Sequence, residues 1–267
     1  MLATASTMPD GSQETADLRI GVLGPLLARR DGVPVLLGGP GQRALFGLLA
    51  VQPGAAIHRE AIADVLWGAG SPPPGGIAVI QSYVSRLRGL LEPGRTARSR
   101  SGLLASDGPY YRLDPAPGTE LDLLAFRGLT AAARRAAEAG HRDAAERTYE
   151  QALALWRCVP LADVELLHGH PALVALANER AMAILAYADL VAASGRHDLV
   201  LPHLRALAAR NPLDEASQAR LMLALAGYGQ QAEALALYEK LRRQLDEELG
   251  VLPGPAVREA YATVLDQ

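Results

Sequence analysis

Gly76-Ile77-Ala78-Val79-Ile80-Gln81-Ser82-Tyr83-Val84-Ser85-Arg86-Leu87-Arg88-Gly89-Leu90-Leu91 predicts a helix with two unlike sides. Ile80, Val84, Leu87 and Leu91 fall at i, i+4, i+7 and i+11, which makes one apolar stripe fit for burial. At about 100° per residue, Ala78, Ser82, Ser85 and Gly89 point the opposite way. Val79 and Arg86 lie on one shoulder of that outer face and Gln81 on the other, while Arg88 sits at the edge of the buried stripe. The outer face is small and polar, with one long cation near its centre. Small residues permit close approach of a large object, and Arg86 can reach past them. A duplex major groove fits this surface, because it admits a helix and offers guanine O6 and N7 to an arginine fork.

The flanking sequence adds two shorter helices before this one and a hairpin after it. Residues 41–51 place Ala44, Leu45, Leu48 and Leu49 at helical spacing, and Pro53-Gly54 ends the run. A second helix spans 58–67, with Ile62, Val65 and Leu66 on one side and Gly68 at its end. Ser71-Pro72-Pro73-Pro74-Gly75-Gly76 reads as the loop before the third helix. Leu103-Leu104-Ala105, Ser106-Asp107-Gly108-Pro109 and Tyr110-Tyr111-Arg112-Leu113 read as strand, turn and strand. Arg95, Arg98 and Arg100 lie in the connection before them, as a solvated loop or a basic contact. A hairpin directly after the third helix is the signature of a winged helix-turn-helix. Upstream, residues 18–28 and 33–37 read as strands joined at Asp31-Gly32, giving a small antiparallel sheet. Tyr111 alternates with Tyr110 and takes the sheet-packing side.

The 267 residues correspond to about two domains. With 49% hydrophobic and 21% charged residues the chain is composed like a folded soluble protein. Residues 1–16 have neither the basic start nor the apolar stretch of a signal peptide, and 1–17 reads as a disordered tail. No apolar run approaches the ~20 residues of a membrane span, so a cytoplasmic, nucleoid-associated protein is expected. Charge divides the chain. Residues 18–113 hold 11 arginines and 5 acids, net +6, whereas 118–267 hold 15 basic residues and 20 acids, net −5. A basic half joined to an acidic half suggests that one part meets a polyanion, although +6 is also compatible with scattered solvated charge. Only Lys240 among the 26 basic residues is lysine. Asp114-Pro115-Ala116-Pro117-Gly118 marks the expected boundary, with one domain over 18–114 and another over 119–267.

The second half is almost entirely helical in pattern. Helices are expected over 122–139, 142–155, 171–193, 197–210, 213–227, 230–250 and 254–265, with Gly140, Gly195, Gly229 and Gly250 at or near helix ends. Asn211-Pro212 reads as an N-cap followed by proline at the first helical position. Ala144-Ala145 with Tyr149, Ala152 and Leu153, and Ala232, Ala234 and Leu235 with Tyr238, place small residues a turn before large ones. That arrangement resembles degenerate tetratricopeptide repeats, in which stacked helix pairs bury a continuous core. Such arrays bind proteins, hold a small molecule in a groove, or form dimers.

No catalytic or metal-binding pattern is present. Gly38-Gly39-Pro40-Gly41-Gln42-Arg43 lacks the Gly-Lys-Ser/Thr ending of a P-loop and reads as the turn into the first helix. His168-Gly169-His170 has no further ligands nearby in sequence and reads as an interhelical loop. Asp246-Glu247-Glu248 reads as a solvated helix face. Cys158, the single cysteine, excludes an internal disulfide and reads as a small buried hydrophobe. No cofactor and no enzymatic role are expected.

Several runs stand in order along the chain, Gly21-Val22-Leu23-Gly24-Pro25-Leu26, Gly38-Gly39-Pro40-Gly41-Gln42-Arg43-Ala44-Leu45, Ala63-Asp64-Val65-Leu66-Trp67-Gly68 and Gln81-Ser82-Tyr83-Val84-Ser85-Arg86-Leu87-Arg88. In the second half they are Ala152-Leu153-Ala154-Leu155-Trp156-Arg157, Leu161-Ala162-Asp163, Gln231-Ala232-Glu233-Ala234-Leu235-Ala236-Leu237-Tyr238 and Glu247-Glu248-Leu249-Gly250, then Pro253-Gly254-Pro255. Together these runs resemble the SARP transcriptional activators (Streptomyces antibiotic regulatory proteins).

The resemblance implies an OmpR-type winged helix joined to a TPR-like bacterial transcriptional activation domain. It further implies an activator of a secondary-metabolite (antibiotic) gene cluster that binds direct repeats near promoters as two protomers side by side and contacts RNA polymerase holoenzyme. Carried over by position, the recognition-helix contacts are Val79, Tyr83, Ser85, Arg86 and Arg88, to which the periodicity adds Gln81 and Ser82. Arg86 is expected on a base or adjacent phosphate, Arg88 and Arg43 on phosphates, and Arg112 along the minor groove. The hairpin tip departs from arginine-bearing relatives, because Asp107 would repel phosphate. Neither nucleotide control nor phosphorylation by a histidine kinase is implied. The competing expectation is a helical scaffold whose N-terminal domain binds protein; the small outward face around Arg86 favours DNA.

Overall fold

The computed structural model describes residues 18–68, 72–93 and 101–266. The expected tail at 1–17, Ser71, and Arg95, Arg98 and Arg100 lie outside the described residues. The chain forms two compact units, one running to Leu123 and including Cys158–His168, the other made of Leu124–Arg157 and Gly169–Gln267. The break at 115–118 therefore does not separate them in a simple linear way. A short stretch from the helical half belongs to the N-terminal unit.

In the N-terminal unit, β1 (Leu18–Gly21) and β2 (Leu27–Arg30) pair antiparallel, and β2 turns into the two-residue β3 (Val33–Pro34). Asp31 and Gly32 at that turn both have positive φ, 48° and 78°. Such a turn matches the twist of the strands it joins, and Asp-Gly supplies it at little steric cost. The expected second strand over 33–37 thus shortens to two residues. Helices α1 (Pro40–Ala50), α2 (Arg59–Trp67) and α3 (Gly76–Leu91) follow, within a residue of their expected limits. A second sheet has the order β4-β6-β5, from β4 (Ile57–His58), β5 (Leu104–Asp107) and β6 (Tyr110–Leu113). Leu45, Phe46, Leu49, Ile62, Ile80, Leu87 and Leu113 are buried and form the centre of this unit. Tyr111 is buried and Tyr110 exposed.

Two short strands are not expected from the sequence: β4, whose His58 is expected to begin the second helix, and β7 (Thr119–Leu121). Directly after the proline-rich break, β7 pairs parallel with β1, giving the sheet order β3-β2-β1-β7. The next residue, Asp122, accepts from the backbone N–H of Val22 at 2.8 Å and of Leu23 at 3.1 Å.

Cys158–His168 also belongs here. Buried Leu161 donates its N–H to Val22 O (3.2 Å) and Gly24 O (2.7 Å), and it holds φ at +49°. A β-carbon on Gly47 of α1 would lie 3.0 Å from Leu161 Cδ1 and 3.1 Å from Leu167 Cδ1, so glycine is what lets this segment lie against the helix. A non-glycine residue at positive φ costs on the order of 1 kcal/mol, and the burial of Leu161, Val164 and Leu167 offsets it. Cys158 is exposed, contrary to the buried position expected of it. Leu161, three residues on, takes the buried place.

The second unit contains α4 (Asp122–Glu138, from Leu124 on), α5 (Arg142–Ala154), α6 (Pro171–Ser194), α7 (Leu201–Arg210), α8 (Glu215–Gly227), α9 (Gln231–Leu249) and α10 (Pro255–Leu265). Gly195 and Gly250 end α6 and α9 in the left-handed conformation. Helix α8 buries Leu221, Met222, Ala224, Leu225 and Ala226 around most of its circumference and packs against α6, α7, α9 and α10. The helix expected over 197–210 divides into a 3-10 turn at His197–Leu199 and α7. Pro202 lacks the N–H needed to continue a helix, so α7 starts afresh around it. Asn211 closes α7, and the cap of α8 is Asp214, whose carboxylate accepts from Ser217 N (3.3 Å). The expected Asn211 N-cap is thereby corrected. Asp246, Glu247 and Glu248 are exposed on α9. His170 caps α6, its Nδ1 accepting from Ala172 N (3.1 Å), and burial lowers its pKa. Among the described residues no group of His, Cys, Asp and Glu could hold a metal ion, and no helix is long and apolar enough to cross a membrane.

Candidate nucleic-acid interface

Helix α3 is positioned from its first residue. Gly75 takes φ +81° at the N-cap, and a β-carbon on Gly76 would lie 2.9 Å from Pro72 Cβ and 3.3 Å from the Trp67 ring. Only glycine permits that approach of α3 to the end of α2. The apolar stripe is fully engaged, with Ile80, Val84, Leu87 and Leu91 each no more than 2% exposed. The opposite side is open. Ala78, Val79, Gln81, Ser85, Arg86 and Gly89 are exposed, and a β-carbon on Gly89 would meet nothing within 4 Å. Among the described residues Arg86 has no hydrogen bond or ion pair.

The other residues singled out in the sequence have neighbours of their own. Ser82 and Tyr83 are half-buried. The Tyr83 ring leans over the start of α1, where a β-carbon on Gly41 would stand 3.0 Å from it. Arg88 reaches to the hairpin, donating from Nε and Nη2 to Leu104 O (2.9 and 2.7 Å) and from Nη2 to Ser106 Oγ (3.0 Å). It fastens α3 to β5. Arg112 donates from Nε to both Asp114 carboxylate oxygens at 2.7 Å. Arg43 is ion-paired with Asp163 and donates to Leu26 O at 3.3 Å, and Asp163 also accepts from Leu26 N at 2.7 Å. An arginine seated on a carboxylate has its charge largely compensated, which sets Arg86 apart from Arg43 and Arg112.

At the hairpin tip, Asp107 and Gly108 are exposed and Gly108 has φ +55°. Pro109 O accepts from Arg59 N (2.9 Å), and His58 meets Tyr110 edge-on at 5.0 Å between ring centroids. The tip is thus held against the start of α2. The roles of Asp163, Asp122 and the Arg88 clasp were not visible in the sequence. Their partners lie 120, about 100 and 16 residues away, beyond the reach of any local period.

An exposed helix face with small residues, a guanidinium unpaired among the described residues, and amide and hydroxyl groups beside it can enter a groove and form hydrogen bonds to base edges or phosphates. Among the described residues it holds no hydroxyl paired with a base and no paired acid and base.

The chain is similar to several known proteins. Residues 121–265 match the family model of the bacterial transcriptional activator domain. The regulatory protein AfsR of Streptomyces coelicolor is 36% identical over 257 residues, 96% of this chain but 25% of AfsR. The regulatory protein DnrI of Streptomyces peucetius is 34% identical, covering 93% of this chain and 92% of DnrI. Mycobacterium tuberculosis EmbR, solved in complex with a low-affinity phosphopeptide, superposes with a TM-score of 0.80 at 34% identity, over 94% of this chain and 65% of that one. The chain thus spans a quarter of AfsR, about two thirds of EmbR and nearly all of DnrI.

Proposed function

The chain belongs to the SARP family of transcriptional regulators that carry the bacterial transcriptional activator domain, and on that premise we propose that its N-terminal unit is a winged helix-turn-helix that binds duplex DNA by sequence. Helix α3 is the recognition helix. Arg86 contacts a base or the adjacent phosphate, with Val79, Gln81 and Ser85 beside it and Ser82 and Tyr83 at the margin of the contact. Arg88 supports the site by fixing the hairpin to α3, and it turns its remaining surface to the DNA backbone. Arg43 and Arg112 offer phosphates only the donors left free by their ion pairs with Asp163 and Asp114, which compensate their charge, so their contribution is the smaller one. Asp107 at the tip leaves the wing a weak phosphate contact.

The single observation that carries this reading is the exposed, unpaired Arg86 on a face of small residues opposite a fully buried stripe. The helical unit is TPR-like and contacts RNA polymerase holoenzyme. Two protomers lie side by side on direct repeats near the promoters of a secondary-metabolite cluster, in the cytoplasm at the nucleoid. Footprinting over the regions flanking its own gene is the experiment. Protected direct repeats, with affinity falling steeply as salt rises through counterion release, are expected. Absence of retention on any duplex at low salt would favour a protein-binding scaffold and remove the reading.

A further inference from the structure

Helices α7, α8 and α9 enclose a groove of about 500 Å³ within the helical unit. Leu221 and Leu225 of α8 and Leu237 and Leu241 of α9 supply its apolar walls, while Ala209 and Ala236 leave it open. The volume lies in the range of small-molecule sites, which are mostly apolar with a few placed polar groups. Three polar features are present. At one rim Arg205 donates to Glu233 Oε2 (2.9 Å) and Gln230 Oε1 (3.0 Å), so those opposite charges cancel. At the other, Lys240 is exposed and has no partner among the described residues. It is also the only lysine in the chain. The groove thus carries one uncompensated positive charge. Beneath it lies Gln218, 4% exposed, whose Nε2 donates to Pro212 O at 2.9 Å. Nε2 also donates to Ala208 O at 3.4 Å, and Oε1 is left buried with no donor among the described residues. A buried acceptor without a donor is costly, so such a group calls for a partner that the chain itself does not provide.

The geometry points to a ligand site in this groove for a small apolar acid bearing an amide or hydroxyl donor. Its carboxylate meets Lys240, its hydrocarbon lies on the leucines, and its donor reaches Gln218 after a small rotation of that side chain. Every residue of the groove lies on α7, α8 or α9 or in the turns that follow α7 and α8, so the site does not depend on the DNA reading.

N-decanoylglycine is a suitable probe, since it combines an acyl chain, an amide N–H and a carboxylate. Calorimetric titration of the intact protein is expected to give one saturable site per chain. Ala236→Trp and, from the opposite wall, Ala209→Trp are both at exposed positions and should abolish binding while leaving the helical circular dichroism unchanged. Lys240→Met should weaken binding about threefold, the scale of an exposed ion pair, and Lys240→Arg should restore it. Decanol should bind more weakly than the acid by a similar factor. No saturable site, or binding unaffected by both tryptophan variants, overturns the proposal. Concentration-dependent dimerisation that Ala236→Trp blocks, with no binding of the acid, would overturn it too and assign the groove to a second copy.

Discussion

Replacing Asp163 by alanine should destabilise the N-terminal unit although the residue lies far along the chain, between α5 and α6. The carboxylate accepts from Leu26 N at 2.7 Å, and Leu26 is 5% exposed, so alanine leaves a buried N–H without an acceptor. That loss costs about 1–3 kcal/mol. The ion pair with Arg43, whose side chains are 25% and 40% exposed, adds about 0–1 kcal/mol. The sum is about 1–4 kcal/mol. Asp163→Asn can still present an oxygen to Leu26 and should cost only about 1 kcal/mol, the charge-dependent part. The chain's two tryptophans make the assay direct, because Trp67 lies in the N-terminal unit and Trp156 in the helical one. Urea unfolding followed through Trp67 in a Trp156→Phe background reports the N-terminal unit. Equal midpoints for the alanine variant and its parent, or an asparagine variant as unstable as alanine, would refute the assignment of Cys158–His168 to that unit.

Two further outcomes follow from the same contacts. Arg88→Ala removes the bonds to Leu104 O and Ser106, and should cost about 1–2 kcal/mol and speed amide exchange in β5 and β6; unchanged exchange there would make Arg88 a DNA contact only. His170 accepts the Ala172 N–H through Nδ1, and burial holds its pKa below the ordinary value of roughly 6.5. The unfolded chain therefore binds the proton more readily, so this contribution to stability is present above about pH 6.5 and lost as pH falls below it. His170→Asn, which keeps a capping oxygen, should flatten the pH dependence of the unfolding midpoint between about pH 7 and 5, and an unaltered slope would contradict the capping role.

Periodicity revealed the helices because α3 and its neighbours repeat an apolar residue each turn over many residues, and Ile80, Val84, Leu87 and Leu91 are buried as that spacing requires. It also revealed the exposed face that bears Arg86. It was silent where the chain makes one short excursion. Three residues suffice for β7, too few for an alternating pattern to register. Leu161 and Leu167 pack on Gly47 through contacts that no local window spans. The arginines show the same limit. Sequence marks Arg43, Arg86, Arg88 and Arg112 alike as cations near a groove, but only three-dimensional pairing distinguishes Arg86, without a partner among the described residues, from those already engaged.

The most direct test of the central claim is the specific affinity of Arg86→Ala for its footprinted repeat, measured beside a scrambled duplex of the same length and salt. A loss of about 1–3 kcal/mol on the repeat is expected, with relaxed base preference at one position and a much smaller change on the scrambled duplex. Equal binding by the variant and its parent on both duplexes, with base preference intact, would contradict it.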